Sequence, residues 1–174
     1  FDRLSYSTTD NINISLGTIA FWIKSDRDWN TTMFPLFFQT RHLPSNDDIT
    51  FGKFTSSRHY VYFNMDAHEV NSFGAEPIVA NWKAGEWHHI AATYDVRDPH
   101  VMRLFLDGRI VDERNDTVCH PPTCSWGGDT LPRNLGPDMY IGSFASLSTA
   151  TASPNVTIDE FIIYNRSLSI EEVK

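Results

Sequence analysis

VMRLFLDGRIVDE, residues 101–113, decides the architecture. Two runs rich in apolar residues, 101–106 and 109–113, are separated only by Asp107-Gly108. Both turn residues tolerate positive φ, which a two-residue primed turn requires, so the stretch predicts a tight antiparallel hairpin. Similar signals extend in both directions. NINISL (11–16) alternates Ile12, Ile14 and Leu16 with polar residues and predicts a half-buried strand with Asn13 facing water. GTIAFWIKS (17–25) follows through Gly17. MFPLFFQT (33–40) is apolar enough for burial on both faces and is broken by RHLPSNDD (41–48). Further strands are expected in DITFGKF (48–54), HYVYFNM (59–65), EPIVA (76–80), WHHIAATYD (87–95), MYIGSF (139–144) and VTIDEFIIY (156–164). A single helix is expected at the end, where Ser169 and Glu172 form an S-x-x-E capping box. Many short strands, hairpin turns and one terminal helix predict an all-β fold, a two-sheet antiparallel jelly-roll sandwich with a short C-terminal helix.

The 174 residues are read as one domain, 1–174, excised from a larger surface protein. Aromatic residues make up 13% of the chain, in keeping with β structure. Net charge is −8, and no basic stripe is interleaved with aromatics, which argues against a nucleic-acid partner. No apolar run approaches the roughly 20 residues of a membrane span.

Two features point to an extracellular or cell-surface setting. The only cysteines, Cys119 and Cys124 in CHPPTCSW, are spaced for a small disulfide loop, which belongs to an oxidising compartment. The rival, a metal site with His120, lacks the second ligand pair that zinc needs. N-x-S/T sequons start at Asn13, Asn30, Asn115, Asn155 and Asn165. The residue counts alone would give about two, so a glycoprotein is expected.

GTIAFWIKSD, GEWHHIAATYD, LFLDGRIV and IDEFIIYNRSLSIEEV resemble, in that order, landmarks of laminin-G-like domains of the concanavalin-A-like lectin/glucanase superfamily. The likeness runs from about residue 11 to 174 and departs from the family in RHLPSNDD and the Cys119–Cys124 segment. It implies a jelly roll of two curved sheets, a role in carbohydrate binding, adhesion or glycoside hydrolysis, and often a structural calcium. The family's calcium ligand maps onto Asp159, with Asp2 as its candidate partner.

The hydrolase role is testable on paper. Hydrolases of this superfamily carry carboxylates at i, i+2 and i+4 of one strand, so that two converge on one glycosidic bond. Thr157 and Phe161 flank Asp159, and Ile158 and Ile162 flank Glu160, so neither register supplies a second acid. Regular alternation would also send Asp159 and Glu160 to opposite faces. By the same rule, only one of His88 and His89 can face any given pocket. The chain is therefore expected to be no enzyme, and a degenerate glycoside hydrolase is disfavoured.

Sugar binding needs an aromatic platform beside polar groups. Trp126 in SWGGD and Trp29 in DRDWNTT fall in expected loops and are the candidate platforms. Asp98 and His68, with Asp47, Asp48, His42 and His100, can line the same rim. The sequence thus predicts a non-catalytic extracellular domain that binds a glycan or a surface protein. The alternative is a structural or protein–protein interaction domain.

Overall fold

The computed structural model describes residues 3–31, 35–42, 47–53, 59–66, 72–75, 78–97, 101–115, 132, 134–142 and 156–174. Among these residues eleven strands form two antiparallel sheets. One sheet has the order β1 (Leu4–Ser7), β10 (Asp138–Ile141), β3 (Leu36–His42), β4 (Asp47–Lys53), β5 (Val61–Asp66), β6 (Ser72–Ala75). The other has the order β11 (Val156–Tyr164), β2 (Leu16–Ser25), β7 (Trp87–Asp95), β8 (Val101–Leu106), β9 (Arg109–Asn115). The sandwich and its terminal helix α1 (Ile170–Val173) match the expectation from sequence.

Alternation builds the core. Ile19, Phe21 and Ile23 of β2 are completely buried, as are Ile90, Ala92 and Tyr94 of β7. They pack against Phe38, Phe51, Phe63 and Met65 of the opposite sheet. Each buried side chain of this size contributes about 1.5–3 kcal/mol. The hairpin turn is as expected, with Asp107 at φ +50° and Gly108 at φ +72°.

The outer face of the five-stranded sheet is covered at one end by the C-terminal segment. The Thr18 hydroxyl donates to the Arg166 carbonyl and accepts from the Leu168 N–H, both at 2.9 Å. Leu168 and Val173 then settle on Ala20, Ala91 and Phe105. The two alanines leave room for this cover. Glu172 accepts the Ser169 N–H at 2.9 Å, the reciprocal half of the capping box.

Three local expectations are corrected. NINISL is not a strand before Leu16, and the first strand is instead Leu4–Ser7. Asn11 and Ile12 donate N–H bonds back to the Thr8 carbonyl, and the Asn13 Oδ1 accepts the Ser15 N–H at 2.8 Å. These bonds turn the chain, the usual competition of Asn side chains with the ladder. Ile12 and Ile14 still pack on the core, and Asn13 is half-buried. The described part of EPIVA is no strand either, because Ile78–Asn81 forms a 3-10 turn with Val79 fully buried.

The third correction concerns Asp159 and Glu160. A β-bulge interrupts the pairing of β11 with β2, so that Glu160 and Phe161 together oppose Phe21. Glu160 takes φ +48°, and its N–H donates to the Asp159 Oδ1 at 2.8 Å. Both carboxylates are therefore exposed, rather than on opposite faces. A regular strand would turn Glu160 inward against Phe21. The bulge instead keeps the charge in water and brings Phe161 onto the rings of Phe21 (5.5 Å) and Phe38 (5.6 Å). A left-handed glutamate costs about 1–2 kcal/mol. Glu160→Gly should therefore raise stability by up to about 1 kcal/mol, after the flexibility of glycine is discounted. Deleting Glu160 restores alternation from Asp159 to Phe161, so that variant should fold with its core intact. Thermal melts check both, and a deletion variant that fails to fold would contradict the bulge.

Candidate functional site

The uncovered end of the same outer face carries a grid of side chains. Thr157, Lys24 and Trp87 form one rung, and Asp159, Trp22 and His89 form the next. The rungs are two residues apart on each strand, so all six side chains share one face. Trp22 is 38% exposed and Trp87 39%. The Lys24 ammonium lies 4.6 Å from the Trp87 ring centroid, and the Trp22 ring is 5.3 Å from His89. Glu160 joins the face through the bulge. Burial holds His89 below its ordinary pKa, against the pull of Asp107 and Glu160, which keeps the imidazole neutral near pH 7. The grid thus offers two indoles, an ammonium, two carboxylates and a neutral imidazole.

His88 points away from this face, as alternation requires. Its ring stacks on Trp82 at 3.7 Å, and its Nδ1 lies 2.9 Å from the Asp107 Oδ2. Its surroundings are structural.

The expected platform Trp29 is corrected. It is 2% exposed and packs on Phe37 and Trp82, so its faces are closed to a ligand. Trp126, Asp98, His68, His100, Asp2, Cys119, Cys124 and Asn155 lie outside the described residues. So do the side chains of His42, Asp47 and Asn115. Asp48 is half-buried within β4, and Asn30 and Asn165 are exposed. Sequence reasoning missed Trp22 as a ligand candidate. Its signal was present, since Trp22 alternates with the buried Phe21 and Ile23.

A calcium ion asks for six to eight oxygens. Asp159 and Glu160 offer at most four, one of which already accepts a backbone N–H. Among the described residues no group of three or more His, Cys, Asp or Glu converges. Asp159 and Glu160 alone do not complete such a shell, which would need Asp2 and further oxygens, and Asp159 caps the amide that the bulge releases. Among the described residues no helix is long and apolar enough to cross a membrane.

A second concavity lies at the seam where β1 and β11 edge their sheets. It encloses about 390 Å³ and is lined by Leu4, Tyr6, Met139, Ile141, Phe161 and Ile163, with Asp10, Asn11 and Asn165 also in the lining.

Two antiparallel sheets with an aromatic outer face define a lectin-like β-sandwich. A laminin G family model, described as the concanavalin A-like lectin/glucanases superfamily, matches residues 3–174, and the chain belongs to that family. Comparison with curated protein sequences gives no match. Among solved structures the chain is similar to the native heptameric SAP-like pentraxin from Limulus polyphemus, at 12% identity and TM-score 0.64, over 91% of this chain and 68% of that one. It is also similar to the botulinum neurotoxin serotype D ligand binding domain in complex with N-acetylneuraminic acid, at 15% identity and TM-score 0.66. The binding domain of botulinum neurotoxin DC in complex with SialylT gives 11% and 0.65. The chain spans only 38% of each toxin chain. At such identities these likenesses establish the fold.

Proposed function

We propose that this is a non-catalytic glycan-recognition or adhesion domain of a larger extracellular protein, and that the grid around Trp22 and Trp87 is its ligand surface. The observation that carries this reading is the pair of half-exposed indoles on adjacent rungs, with Lys24, His89, Asp159 and Glu160 beside them. Indoles take the C–H face of a sugar ring, and the neighbouring polar groups match its hydroxyls. The sialic-acid complex of the toxin domain supports a sugar site on this architecture. Hydrolysis does not suit this face. A general acid needs an enclosed apolar setting to hold its proton, whereas Glu160 and Asp159 stand exposed. An extracellular setting follows from the five sequons and from a Cys119–Cys124 disulfide, which belong to this proposal.

A glycan array, run with and without calcium, tests the reading. Trp22→Ala and Trp87→Ala should each weaken binding about tenfold, the loss of one stacking contact, while the melting temperature stays close to wild type. Binding that survives both substitutions would exclude the grid. Calcium at Asp159 and Asp2 is part of the same proposal. Chelation should lower the wild-type melting temperature and leave Asp159→Asn unchanged if the ion is there. An equal loss for Asp159→Asn with and without chelator leaves only the bulge cap.

The openness of the face favours a second reading, a protein–protein interaction domain. Binding to no sugar together with self-association in solution would select it.

A further inference from the structure

The seam cleft is assembled by the same alternation as the core, from β1, β10 and β11. Leu4 pairs with Ile141 and Tyr6 with Met139, so these four line one wall. Phe161 and Ile163 line the other, with Asn165 two residues further on and also in the lining. Leu4 is 55% exposed and Tyr6 49%, on a four-residue strand at the edge of its sheet. An apolar cleft beside an open strand edge is a liability that folded proteins cover. Asn165-Arg166-Ser167 is a sequon whose asparagine belongs to the cleft wall.

We infer that the cleft is the seat of the domain's own N-linked glycan at Asn165. The first N-acetylglucosamine lies over Tyr6 and Leu4, and its hydroxyls meet Asp10 and Asn11 at the rim. The volume, about 390 Å³, is within the range of small-ligand sites, roughly 300–1,000 Å³. The sugar's C–H face and acetyl methyl match the apolar floor. The covalent link matters most. A sugar tethered at the cleft wall has an effective concentration on the order of millimolar, so a contact too weak to hold free sugar still keeps the tethered one seated.

The test uses the protein secreted from cells held at high-mannose glycans, with Asn13, Asn30, Asn115 and Asn155 changed to Gln. Mass spectrometry should find Asn165 modified. Endoglycosidase H leaves one N-acetylglucosamine and should leave the melting temperature unchanged. Peptide-N-glycosidase F removes all sugar, leaving an aspartate in place of the asparagine, and should lower it by roughly 2–4 °C, the shift of a contact worth about 1 kcal/mol in a domain of this size. The loss counts for the sugar only where the uncharged Ser167→Ala control reproduces it. Ser167→Ala in the otherwise wild-type chain removes this sequon alone and should give the same loss. Tyr6→Ser should erase the difference between trimmed and sugar-free protein. The inference is overturned by an unmodified Asn165, by equal melting of trimmed and sugar-free protein, or by a difference that Tyr6→Ser leaves intact.

Discussion

Phe21→Ala should lower stability by about 3–5 kcal/mol, whereas Trp22→Ala, one residue along, should cost less than about 1 kcal/mol. Phe21 is fully buried and joins the two sheets through its ring contacts. It meets Phe37 at 5.8 Å and Phe51 at 5.3 Å edge-on, and stacks on Phe161 at 5.5 Å. Removing the ring leaves a cavity bounded by three aromatic side chains that belong to β3, β4 and β11, and such a site collapses poorly. For a domain of this length the loss corresponds to a fall in melting temperature on the order of 10 °C. The prediction separates the two faces of one strand. Phe21→Ala should fall in stability with ligand binding by the surviving folded fraction unchanged, and Trp22→Ala should do the reverse. Equal destabilisation by both would mean that β2 is phased differently from the pairing of Trp22 with His89 and Ile23 with His88.

The contrast between these neighbours also shows what could be read in the sequence. TIAFWIK alternates because one face of β2 is core, and the period of two is visible without knowing any partner strand. The Asp107-Gly108 turn and the Ser169–Glu172 cap are equally local, each decided within a few residues. The bulge at Glu160 was not legible. It exists because β11 must keep Ile158, Phe161 and Ile163 all against the core while paired with β2, and that constraint appears only once the partner is known. Leu4–Ser7 escaped notice because Leu4 and Tyr6 alternate with Ser5 and Ser7 over only four residues, too short a run to read as a strand, and all four are exposed. NINISL alternates well, yet Asn and Ser side chains and the Thr8 carbonyl take its backbone bonds first. Trp29 lies in a loop pattern, and only the folded chain shows it closing on Trp82. The candidate surface follows the same logic. The outward phase of Trp22 could be read locally, but its meeting with Trp87, His89 and Asp159 needed the registers of three strands.

Lys53→Met should stabilise the domain at pH 7 and flatten its stability between pH 8 and 10.5. Lys53 is 2% exposed at the end of β4, on the side of the sheet that carries Phe51, and its Nζ donates to the Thr31 carbonyl at 2.9 Å. It lines a small void with Ser25, Asp28, Trp29, Pro35 and Val156. Burial lowers its pKa from 10.5 to about 8, so the folded protein binds that proton more weakly than the unfolded chain does. The sign follows from this difference. Below pH 8 both states are protonated, and the folded state bears the full cost of a buried ammonium. Between pH 8 and 10.5 the folded state sheds its proton first, so stability rises with pH. The fall from 10.5 to about 8 corresponds to about 3 kcal/mol. The hydrogen bond to Thr31 returns about 0.5–1.5 kcal/mol, so the net gain for Met at pH 7 is about 1.5–2.5 kcal/mol. Burial raises the pKa of Tyr62 and Tyr94, so both oppose folding at high pH. They are common to wild type and variant and cancel in the comparison. Urea unfolding at pH 7 and pH 10 should show the variant ahead at the lower pH and the wild type closing the gap at the higher. Parallel pH profiles for the two proteins would show that Lys53 keeps the proton affinity of an exposed lysine.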